Sequence, residues 1–228
     1  MHASAMKNCE SFFATYAGAF AAESSVHVID IGSQDVNGSL RQVTPPAFKY
    51  TGLDFQKANN VDIVLEDPYQ LPLPDNSVDI VLSSSCFEHS EMFWLVFLEV
   101  MRVLKPAGLF YLNVPSAGSF HRYPVDFWRF YPDSGHALIT WGRRNGYDPL
   151  LLESFTQIGG RWQDYIGVFL KDQAQLSRFP VRQLPNRNDI ENGYLHGEPA
   201  LKNERQYCQN DRKLDAIGSI SAEKVFVR

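Results

Sequence analysis

The sequence predicts a doubly wound α/β fold around a mostly parallel, seven-stranded sheet with an antiparallel final strand. First, five apolar runs rich in Val, Ile and Leu alternate with helix-like or turn-like segments, as buried parallel strands do. Second, a long apolar segment with helical features lies between the fourth and fifth runs. Third, two further apolar runs joined by a Gly-Gly pair are typical of an antiparallel pair that closes a sheet.

Each predicted element has recognisable boundaries. The seven strands are predicted over residues 26–32, 48–55, 61–67, 78–85, 108–116, 148–159 and 162–172. The strongest helix is predicted over residues 90–104, because Ser90 can cap its start and Pro106 follows its end. A second helix is predicted over about residues 133–144. The apolar segment 11–22 is interpreted as a packed N-terminal helix rather than a signal peptide.

The sequence pattern changes after residue 172. Residues 1–172 contain all the predicted strands and form the predicted main domain, which includes the N-terminal helix. Residues 173–228 are polar and rich in turn-forming residues, so an irregular C-terminal extension is predicted there. This extension either folds over the body or is partly disordered.

Composition and charge argue against several classes of protein. With 44% hydrophobic and 21% charged residues, the 228-residue chain is typical of a soluble globular protein. The net charge of -5 argues against a nucleic-acid partner, and no apolar run reaches the roughly 20 residues of a membrane helix. The three cysteines show no zinc-ligand spacing, so we expect a reduced, cytoplasmic setting and no metal.

The first predicted strand ends in the sequence DIGSQDVNGS, which can form a small-molecule cradle. Asp30 supplies an acid, and Gly32 lets a ligand approach the backbone, where N–H groups can face it. A dinucleotide-binding fold favours G-x-G-x-x-G, but Gln34 stands where the second glycine would be. On the motif alone, a ligand cradle and an ordinary strand-to-helix turn are equally open.

Acids also follow the second and third predicted strands. Asp54 ends the second strand, and its carboxylate can accept hydrogen bonds from both hydroxyls of a ribose. Asp67 follows the third strand, where it can accept from an exocyclic amine. Leu71 and Leu73 can pack on a flat base. Together these positions predict a nucleoside-like ligand at one edge of the sheet.

Four sequence runs in succession carry a family resemblance. DIGSQDVNGS, YTGLDF, LEDPYQLPLPDNSVDIVLSSSCFEH and FLEVMRVLKPAGLFYLNVPS resemble the class I S-adenosylmethionine-dependent methyltransferases of the type 11 branch. The resemblance covers about residues 26–172 and implies a Rossmann-like methyltransferase fold with S-adenosylmethionine as cofactor and S-adenosylhomocysteine as product. The departure at Gln34 indicates either a longer loop that closes at Gly38 or weakened cofactor binding.

The resemblance also implies roles for individual residues. Asp30 and Gly32 are expected to hold the methionine portion, Asp54 the ribose and Asp67 the adenine amine. The segment after the fourth strand is expected to line the cofactor. The other predicted cofactor-binding residues are Ser33, Gln34, Phe55, Pro68, Tyr69, Ser84, Cys86 and His89.

The segment HRYPVDFWRFYPD, residues 121–133, follows the fifth strand and so lies at the same edge as the predicted cofactor. Its rings and prolines form a stiff apolar wall that can align an acceptor and exclude water. His121 and Tyr123 are the predicted proton acceptors. The predicted substrate-binding residues are Arg122, Trp128, Arg129 and Tyr131. In the alternative interpretation the rings pack on the sheet and Arg129 pairs with Asp126 or Asp133.

The sequence therefore predicts a methyltransferase that acts on an oxygen or nitrogen nucleophile of a small polar acceptor. Two other functions stay open: a nucleotide-dependent oxidoreductase on the same fold, and a cofactor-binding regulatory module without turnover. The missing second glycine argues against the first and motivates the second. A homodimer formed through the N-terminal helix or the extension is also left open.

Overall fold

The computed structural model describes residues 3–205, which form three α-helices, eight strands and several short 3-10 turns. The part of the predicted extension beyond residue 205 lies outside the described residues. The helices are α1 (Ala3–Tyr16), α2 (Phe93–Val103) and α3 (Ser134–Arg144). The strands are β1 (His27–Ile31), β2 (Lys49–Asp54), β3 (Ile63–Val64), β4 (Val78–Ser84), β5 (Leu104–Pro115), β6 (Leu150–Gln157), β7 (Asp164–Leu170) and β8 (Ile190–Leu195).

The strands form one sheet in the order β3-β2-β1-β4-β5-β7-β6-β8. The five strands from β3 to β5 in this order pair in parallel, whereas β7 is antiparallel to both β5 and β6. The predicted α/β fold with a mostly parallel sheet is confirmed. The predicted number of seven strands is wrong, because β8 adds an eighth strand antiparallel to β6.

Strand β8 comes from the segment that the sequence predicts to be irregular. Its sequence, IENGYL, contains an Asn-Gly pair that is typical of turns, and Asn192 has a φ of 50°. Pairing with β6 and burial of Ile190 form the strand in spite of this local signal. Part of the extension therefore packs on the body, while the predicted domain boundary at residue 172 stays a prediction.

A buried carboxylate connects the extension to the N-terminal helix. Glu153 on β6 is fully buried and accepts hydrogen bonds from the Tyr16 hydroxyl (2.5 Å) and from the backbone N–H groups of Gln183 (3.1 Å) and Leu184 (2.8 Å). A buried carboxylate is tolerated only where donors surround it in this way. Glu153 thereby fixes α1, β6 and the chain before β8 relative to one another.

The predicted ends of several elements differ from the structure. Helix α1 spans Ala3–Tyr16 rather than residues 11–22, and β5 begins at Leu104 rather than at residue 108. The third strand is predicted over seven residues, but β3 is an edge strand that pairs with β2 only at Ile63 and Val64. Helix α2 begins at Phe93 after Met92 at the N-cap position, so Ser90 does not cap it. Ser90 instead accepts a hydrogen bond at its backbone oxygen from the indole of Trp128. Helix α3 begins and ends close to the predicted positions.

Helices cover both faces of the sheet. Alternation along β1 directs Ile29 and Ile31 toward the face covered by α2 and α3, and Val28 toward the face covered by α1. On the second face, the ring of Phe12 lies 5.0 Å from that of Tyr111 on β5. The helices within residues 3–205 are too short or too polar to cross a lipid bilayer.

The turn after β1 lies directly against the turn after β4. Gly32 has a φ of 80°, in the left-handed region that glycine tolerates best. A Cβ atom at this position would lie 2.6 Å from Cβ and 2.7 Å from Sγ of Cys86. Both conformation and space therefore require glycine here.

We expect Gly32→Ala to lower the free energy of unfolding by about 2–5 kcal/mol, measured by urea denaturation. The left-handed conformation costs about 1–2 kcal/mol for a residue with a Cβ, and the clash adds about 1–3 kcal/mol. Gly159→Ala is the matched control, because Gly159 has a φ of 83° and an added Cβ would have no atom within 4 Å. Equal losses in the two variants would contradict the steric role of Cys86.

Candidate functional site

The predicted site residues lie at the carboxyl ends of the parallel strands, which meet at one edge of the sheet. From β1 the chain proceeds outward to β2 and β3 on one side, and then returns to β4 and β5 on the other. The strand order thus reverses between β1 and β4, and ligands of open α/β sheets bind at such a point. The turns after these two strands are the ones in contact at Gly32 and Cys86.

The turn after β1 is bonded to β2 through its backbone. The N–H groups of Gly32 and Ser33 both donate to the carbonyl of Leu53, at 2.9 and 3.1 Å. Asn60 closes the same turn by donating from Nδ2 to the carbonyl of Ser33 at 2.8 Å. The sequence predicts N–H groups that face a ligand, but these two face β2. Gly32 therefore contributes space rather than a hydrogen-bond donor.

The loop that follows closes at Gly38, as one of the two sequence-based alternatives predicts. The N–H of Gly38 donates to Oδ1 of Asp35 at 2.8 Å, and Gly38 has a φ of 125°. Gln34, which replaces the expected second glycine, donates its backbone N–H to Oδ2 of Asp54 at 3.3 Å. The loop is thereby held against the end of β2 without a second glycine.

Asp54 is a buried carboxylate with spare acceptor capacity. It is 6% exposed and accepts one backbone hydrogen bond at each oxygen, from Gln34 at Oδ2 (3.3 Å) and from Gln56 at Oδ1 (3.2 Å). An ionised carboxylate can accept about four hydrogen bonds. Asp54 can therefore accept two more donors, such as the two hydroxyls of a ribose, without losing its present partners.

Asp30 is buried on β1 and pairs with the neighbouring strand. Its Oδ2 accepts a hydrogen bond from the hydroxyl of Tyr50, which also receives one from Asn60 Nδ2 at 3.2 Å. Its Oδ1 is buried and has no hydrogen-bond partner among residues 3–205. Burial raises the pKa of Asp30 to about 7, although the hydrogen bond from Tyr50 acts in the opposite direction.

The residues after β3 are near Asp54 but open to solvent. The N–H of Leu65 donates to the carbonyl of Asp54 at 2.8 Å, which brings this segment beside the end of β2. Asp67 is exposed and its Oδ1 accepts from the N–H of Tyr69 at 2.8 Å. Pro68 and Phe55 are exposed as well. Their predicted contacts with a base or a ribose stay predictions.

The end of β4 supplies small, buried side chains. Ser84 is 3% exposed and its hydroxyl has no hydrogen-bond partner in the described part of the chain. Burial raises the pKa of the Cys86 thiol, and the nearby carboxylate of Glu88 raises it further. A thiol with a raised pKa is a poor nucleophile, so Cys86 acts here as a small packing residue.

The loop after β5 is bonded to the turn after β4. The N–H groups of Phe127 and Trp128 both donate to the carbonyl of Glu88, at 2.8 and 3.2 Å. The indole Nε1 of Trp128 donates to the carbonyl of Ser90 at 2.9 Å. Further on, the N–H of Phe130 donates to the carbonyl of Pro115 at 3.0 Å, and Phe130 is buried. The aromatic loop is therefore fixed beside the strand ends.

An ion pair organises the beginning of this loop. Arg129 donates hydrogen bonds from both terminal nitrogens to the carboxylate of Asp126. Oδ2 of Asp126 also accepts from the backbone N–H of His121 at 2.8 Å and lies 3.2 Å from Nδ1 of the His121 ring. These hydrogen bonds, from Arg129 first, lower the pKa of Asp126 to about 2. Arg129 thus pairs with Asp126, as the alternative interpretation predicts, and its role in binding a substrate stays a prediction.

The remaining predicted acceptor-site residues are largely exposed. Tyr123 is 55% exposed and Tyr131 is 62% exposed. Arg122 is exposed too, whereas Trp128 packs its ring on Phe93 at 5.6 Å between ring centres. The structure therefore places Arg122, Tyr123 and Tyr131 on the surface of the loop. Their predicted roles stay untested.

His89 and Glu88 lie under the aromatic loop. The Nδ1 of His89 hydrogen-bonds to the carbonyl of Val125, and burial lowers the pKa of this histidine. Glu88 is 1% exposed, and burial raises the pKa of its carboxyl to about 8. The ring of His121 meets that of His89 edge to face, 5.0 Å between centres.

Sequence reasoning missed Glu88, Tyr50 and Asn60 as parts of this site. Glu88 is adjacent to His89 in the run CFEHS, which is the only sequence signal for it. Tyr50 and Asn60 gain their roles through pairing between β1 and β2, which no local motif indicates.

Comparison with known proteins finds methyltransferases among the relatives of this chain. Residues 13–112 match the family model described as a methyltransferase domain. An uncharacterized methyltransferase from Mycobacterium ulcerans is 32% identical over 107 residues, which cover 44% of this chain and 42% of that protein. One from Mycobacteroides abscessus is 35% identical over 80 residues, which cover 35% of this chain and 30% of that protein. The chain spans less than half of the length of these relatives.

Solved structures show the same fold at low sequence identity. One is 1,6-didemethyltoxoflavin-N1-methyltransferase from Burkholderia thailandensis, solved with 1,6-didemethyltoxoflavin and S-adenosylhomocysteine. Its sequence is 13% identical to this chain and its TM-score is 0.54. The alignment covers 74% of this chain and 79% of that chain. Another is a SAM dependent methyltransferase from Archaeoglobus fulgidus, with 16% identity and a TM-score of 0.53, aligned over 73% and 94% of the two chains. These likenesses concern the fold alone.

The resemblance that the four sequence runs predict is therefore confirmed, because residues 13–112 match the methyltransferase domain model and the relatives named above are methyltransferases.

Proposed function

We propose that this chain is an S-adenosylmethionine-dependent methyltransferase that methylates an oxygen or nitrogen atom of a small polar acceptor. The observation that carries the proposal is Asp54, a buried carboxylate with two spare acceptor positions at the end of β2, in a region that matches the methyltransferase domain family. Asp54 lies at the edge where the strand order reverses, next to the turn after β1 in which Gly32 has no side chain.

The buried polar atoms at this edge fit the proposed cofactor. Asp54 would accept hydrogen bonds from the ribose hydroxyls, because both of its oxygens keep lone pairs that no other residue among 3–205 uses. Asp30 Oδ1 and Ser84 Oγ are buried without partners among the described residues, and each would gain a donor or an acceptor from a polar cofactor. The cofactor itself supplies a methyl group already activated by its sulfonium charge.

Asp30 would stabilise the positive charge of the cofactor's methionine portion. A buried carboxyl that must ionise to do so incurs a free-energy cost, which the raised pKa of Asp30 expresses. A cation placed nearby offsets that cost. Binding of the cationic cofactor and ionisation of Asp30 are therefore expected to be coupled.

The aromatic loop would position the acceptor. Methyl transfer needs an aligned nucleophile and the exclusion of water more than it needs covalent help from the protein. The loop is rigid at Phe127 and Trp128 through their bonds to the carbonyl of Glu88. His121, held by Asp126, or the exposed Tyr123 would take the proton that the acceptor loses.

A second candidate is a cofactor-binding module without turnover. Gln34 stands in place of the expected second glycine, and the N–H groups of Gly32 and Ser33 bond to β2. The first feature adds a side chain where a glycine would let the backbone approach the cofactor, and the second leaves fewer backbone donors for it. This candidate predicts cofactor binding without methyl transfer to any acceptor.

Calorimetric titration tests the proposed cofactor. The full chain should bind S-adenosylmethionine and S-adenosylhomocysteine with one site per chain, and should not bind NAD. Binding of NAD alone would favour the oxidoreductase. Absence of all binding would overturn both the methyltransferase and the module without turnover. Incubation with methyl-labelled S-adenosylmethionine and pooled small polar acceptors then distinguishes the methyltransferase from the module without turnover. Only the methyltransferase would produce a labelled acceptor.

Asp54→Asn should weaken S-adenosylmethionine binding by about 10- to 100-fold in the same titration. The substitution keeps the shape of the side chain but removes the charge and one acceptor, and a hydrogen bond to a charged group contributes about 1.5–3 kcal/mol. Asp35→Asn is the matched control, because it removes one charge from the same loop and leaves an oxygen for the N–H of Gly38. Unchanged affinity in Asp54→Asn would remove Asp54 from the site.

The affinity for S-adenosylmethionine should rise about tenfold between about pH 6 and about pH 8, because only the fraction of protein with ionised Asp30 binds well. This range brackets the pKa of Asp30, which burial raises to about 7. In Asp30→Asn the affinity should no longer vary with pH over this range. This variant therefore distinguishes ionisation of Asp30 from titration of the cofactor's own amino group. An equally steep dependence in the variant would contradict the coupling.

Unfolding measurements check that Asp30 is the titrating group. The pKa of an aspartate in an unfolded chain is about 3.9, whereas that of folded Asp30 is about 7. The protonated side chain therefore stabilises the folded state fully below about pH 4. This stabilisation is lost as the pH rises through about 7. Relative to Asp30→Asn, the wild-type free energy of unfolding should fall by about 3 kcal/mol between about pH 5 and about pH 8. A difference that does not vary with pH would assign the titration to another residue.

A further inference from the structure

Glu88, His89 and His121 form a cluster at the carboxyl edge of the sheet. Glu88 and His89 belong to the turn after β4, and His121 belongs to the loop after β5. One potential ligand atom from each of the three residues lies within 4.8 Å of those from the other two. Two ligands about 2.1 Å from a zinc ion are about 3–4 Å apart, so side-chain shifts of about 1 Å would bring all three onto one ion.

His89 is oriented as metal-binding histidines are. Its Nδ1 hydrogen-bonds to the backbone carbonyl of Val125, which places the ring proton on Nδ1. The lone pair is then on Nε2, 3.6 Å from Oε1 of Glu88. Histidine ligands commonly donate their second ring nitrogen to a backbone carbonyl or a carboxylate in this way.

His121 has the corresponding carboxylate partner. Its Nδ1 lies 3.2 Å from Oδ2 of Asp126 and 3.5 Å from Nη2 of Arg129. The shorter contact is to the carboxylate, which Arg129 holds in place from the other side. Asp126 therefore favours the proton on Nδ1 and leaves Nε2 as the lone-pair donor.

Glu88 supplies the third ligand. Its side chain is almost fully buried, and Oε2 has no hydrogen-bond partner among the described residues. An unpartnered carboxylate oxygen in the interior is costly, and a bound cation removes that cost. The sequence gives no zinc-ligand spacing here, because the three ligands come from two turns 32 or more residues apart.

The charges that face Glu88 also favour a cation. Asp164 and Asp126 are negative, and Arg129 is the positive group close to them. Arg129 is engaged by Asp126 in a bidentate pair. Arg161 lies farther out, with its guanidinium over the indole ring that packs on His121. Two carboxylates and one guanidinium therefore act on Glu88.

We propose that Glu88, His89 and His121 bind a divalent transition-metal ion through one carboxylate oxygen and two imidazole nitrogens. Imidazole suits Zn²⁺, Co²⁺, Ni²⁺ and Fe²⁺, and a set of two histidines and one carboxylate leaves coordination positions open. Those positions can hold water or an acceptor oxygen beside the aromatic loop. A His121 ring that binds the ion has no nitrogen left to accept a proton, so Tyr123 would then be the proton acceptor. Use of the ion on an acceptor rests on the proposed function, whereas metal binding itself does not.

Cobalt titration of the tag-free full chain, dialysed first against a chelator, tests the site. Co²⁺ is the probe, because its visible absorption reports the number and type of its ligands. We expect one Co²⁺ per chain with a spectrum of nitrogen and oxygen ligands and without an intense thiolate band. The absence of such a band excludes capture by Cys86 near the turn. Zn²⁺ should displace the Co²⁺ and should raise the thermal midpoint of unfolding.

Two single substitutions and one control assign the ligands. Glu88→Gln and His121→Gln should each weaken Co²⁺ binding by more than about tenfold. His136→Gln should bind as the wild type does, because His136 lies on α3 with its ring against Tyr194. Far-ultraviolet circular dichroism shows whether each variant is folded.

Several outcomes would overturn the site. The first is that the wild-type chain binds no Co²⁺. The second is that folded Glu88→Gln and His121→Gln variants bind Co²⁺ as tightly as the wild type. The third is that the Co²⁺ complex of the wild type shows an intense thiolate band. The wild-type titration decides the question even where a variant does not fold. Failure of S-adenosylmethionine binding in the separate titration would overturn the proposed function and leave the metal site standing.

Discussion

The contact between the turns after β1 and β4 is the constraint on which the carboxyl edge depends. Parallel pairing of both neighbours with β1 brings the two turns together, and only a residue without a side chain fits at Gly32 against Cys86. The same turn is bonded to β2 through Leu53. The end of β1 is thus fixed from both sides, which leaves Asp30 and Asp54 buried at the point where the strand order reverses.

The aromatic loop is attached to this edge by backbone hydrogen bonds as well as by its rings. The carbonyl of Glu88 accepts from two consecutive N–H groups of the loop, while Oε2 of the same residue is buried without a hydrogen-bond partner in the described part of the chain. Asp126 and Arg129 form the second attachment and hold His121 near His89. One short turn therefore both positions the loop and presents a group able to bind a proton or a cation.

The fold was largely predictable because it depends on local patterns that the tertiary structure reinforces. Continuous apolar runs, an apolar helix and a Gly-Gly turn led to the correct class, and the acids that follow the strands lie at the carboxyl edge of the sheet. The eighth strand was not predictable, since an Asn-Gly pair interrupts it and only pairing with β6 forms it. The same holds for Glu153, whose donors come from α1 and from the chain before β8.

The sequence by itself indicated the resemblance to methyltransferases, the mostly parallel sheet and the positions of Asp54 and Gly32, because these rest on motifs a few residues long. Only the tertiary structure decided which partners the side chains and the turn N–H groups have. It pairs Arg129 with Asp126, directs turn N–H groups to β2, and joins Glu88 and His89 to His121. The physical reason is that charge pairing and burial depend on distances between segments remote in sequence, which the closing of the sheet sets.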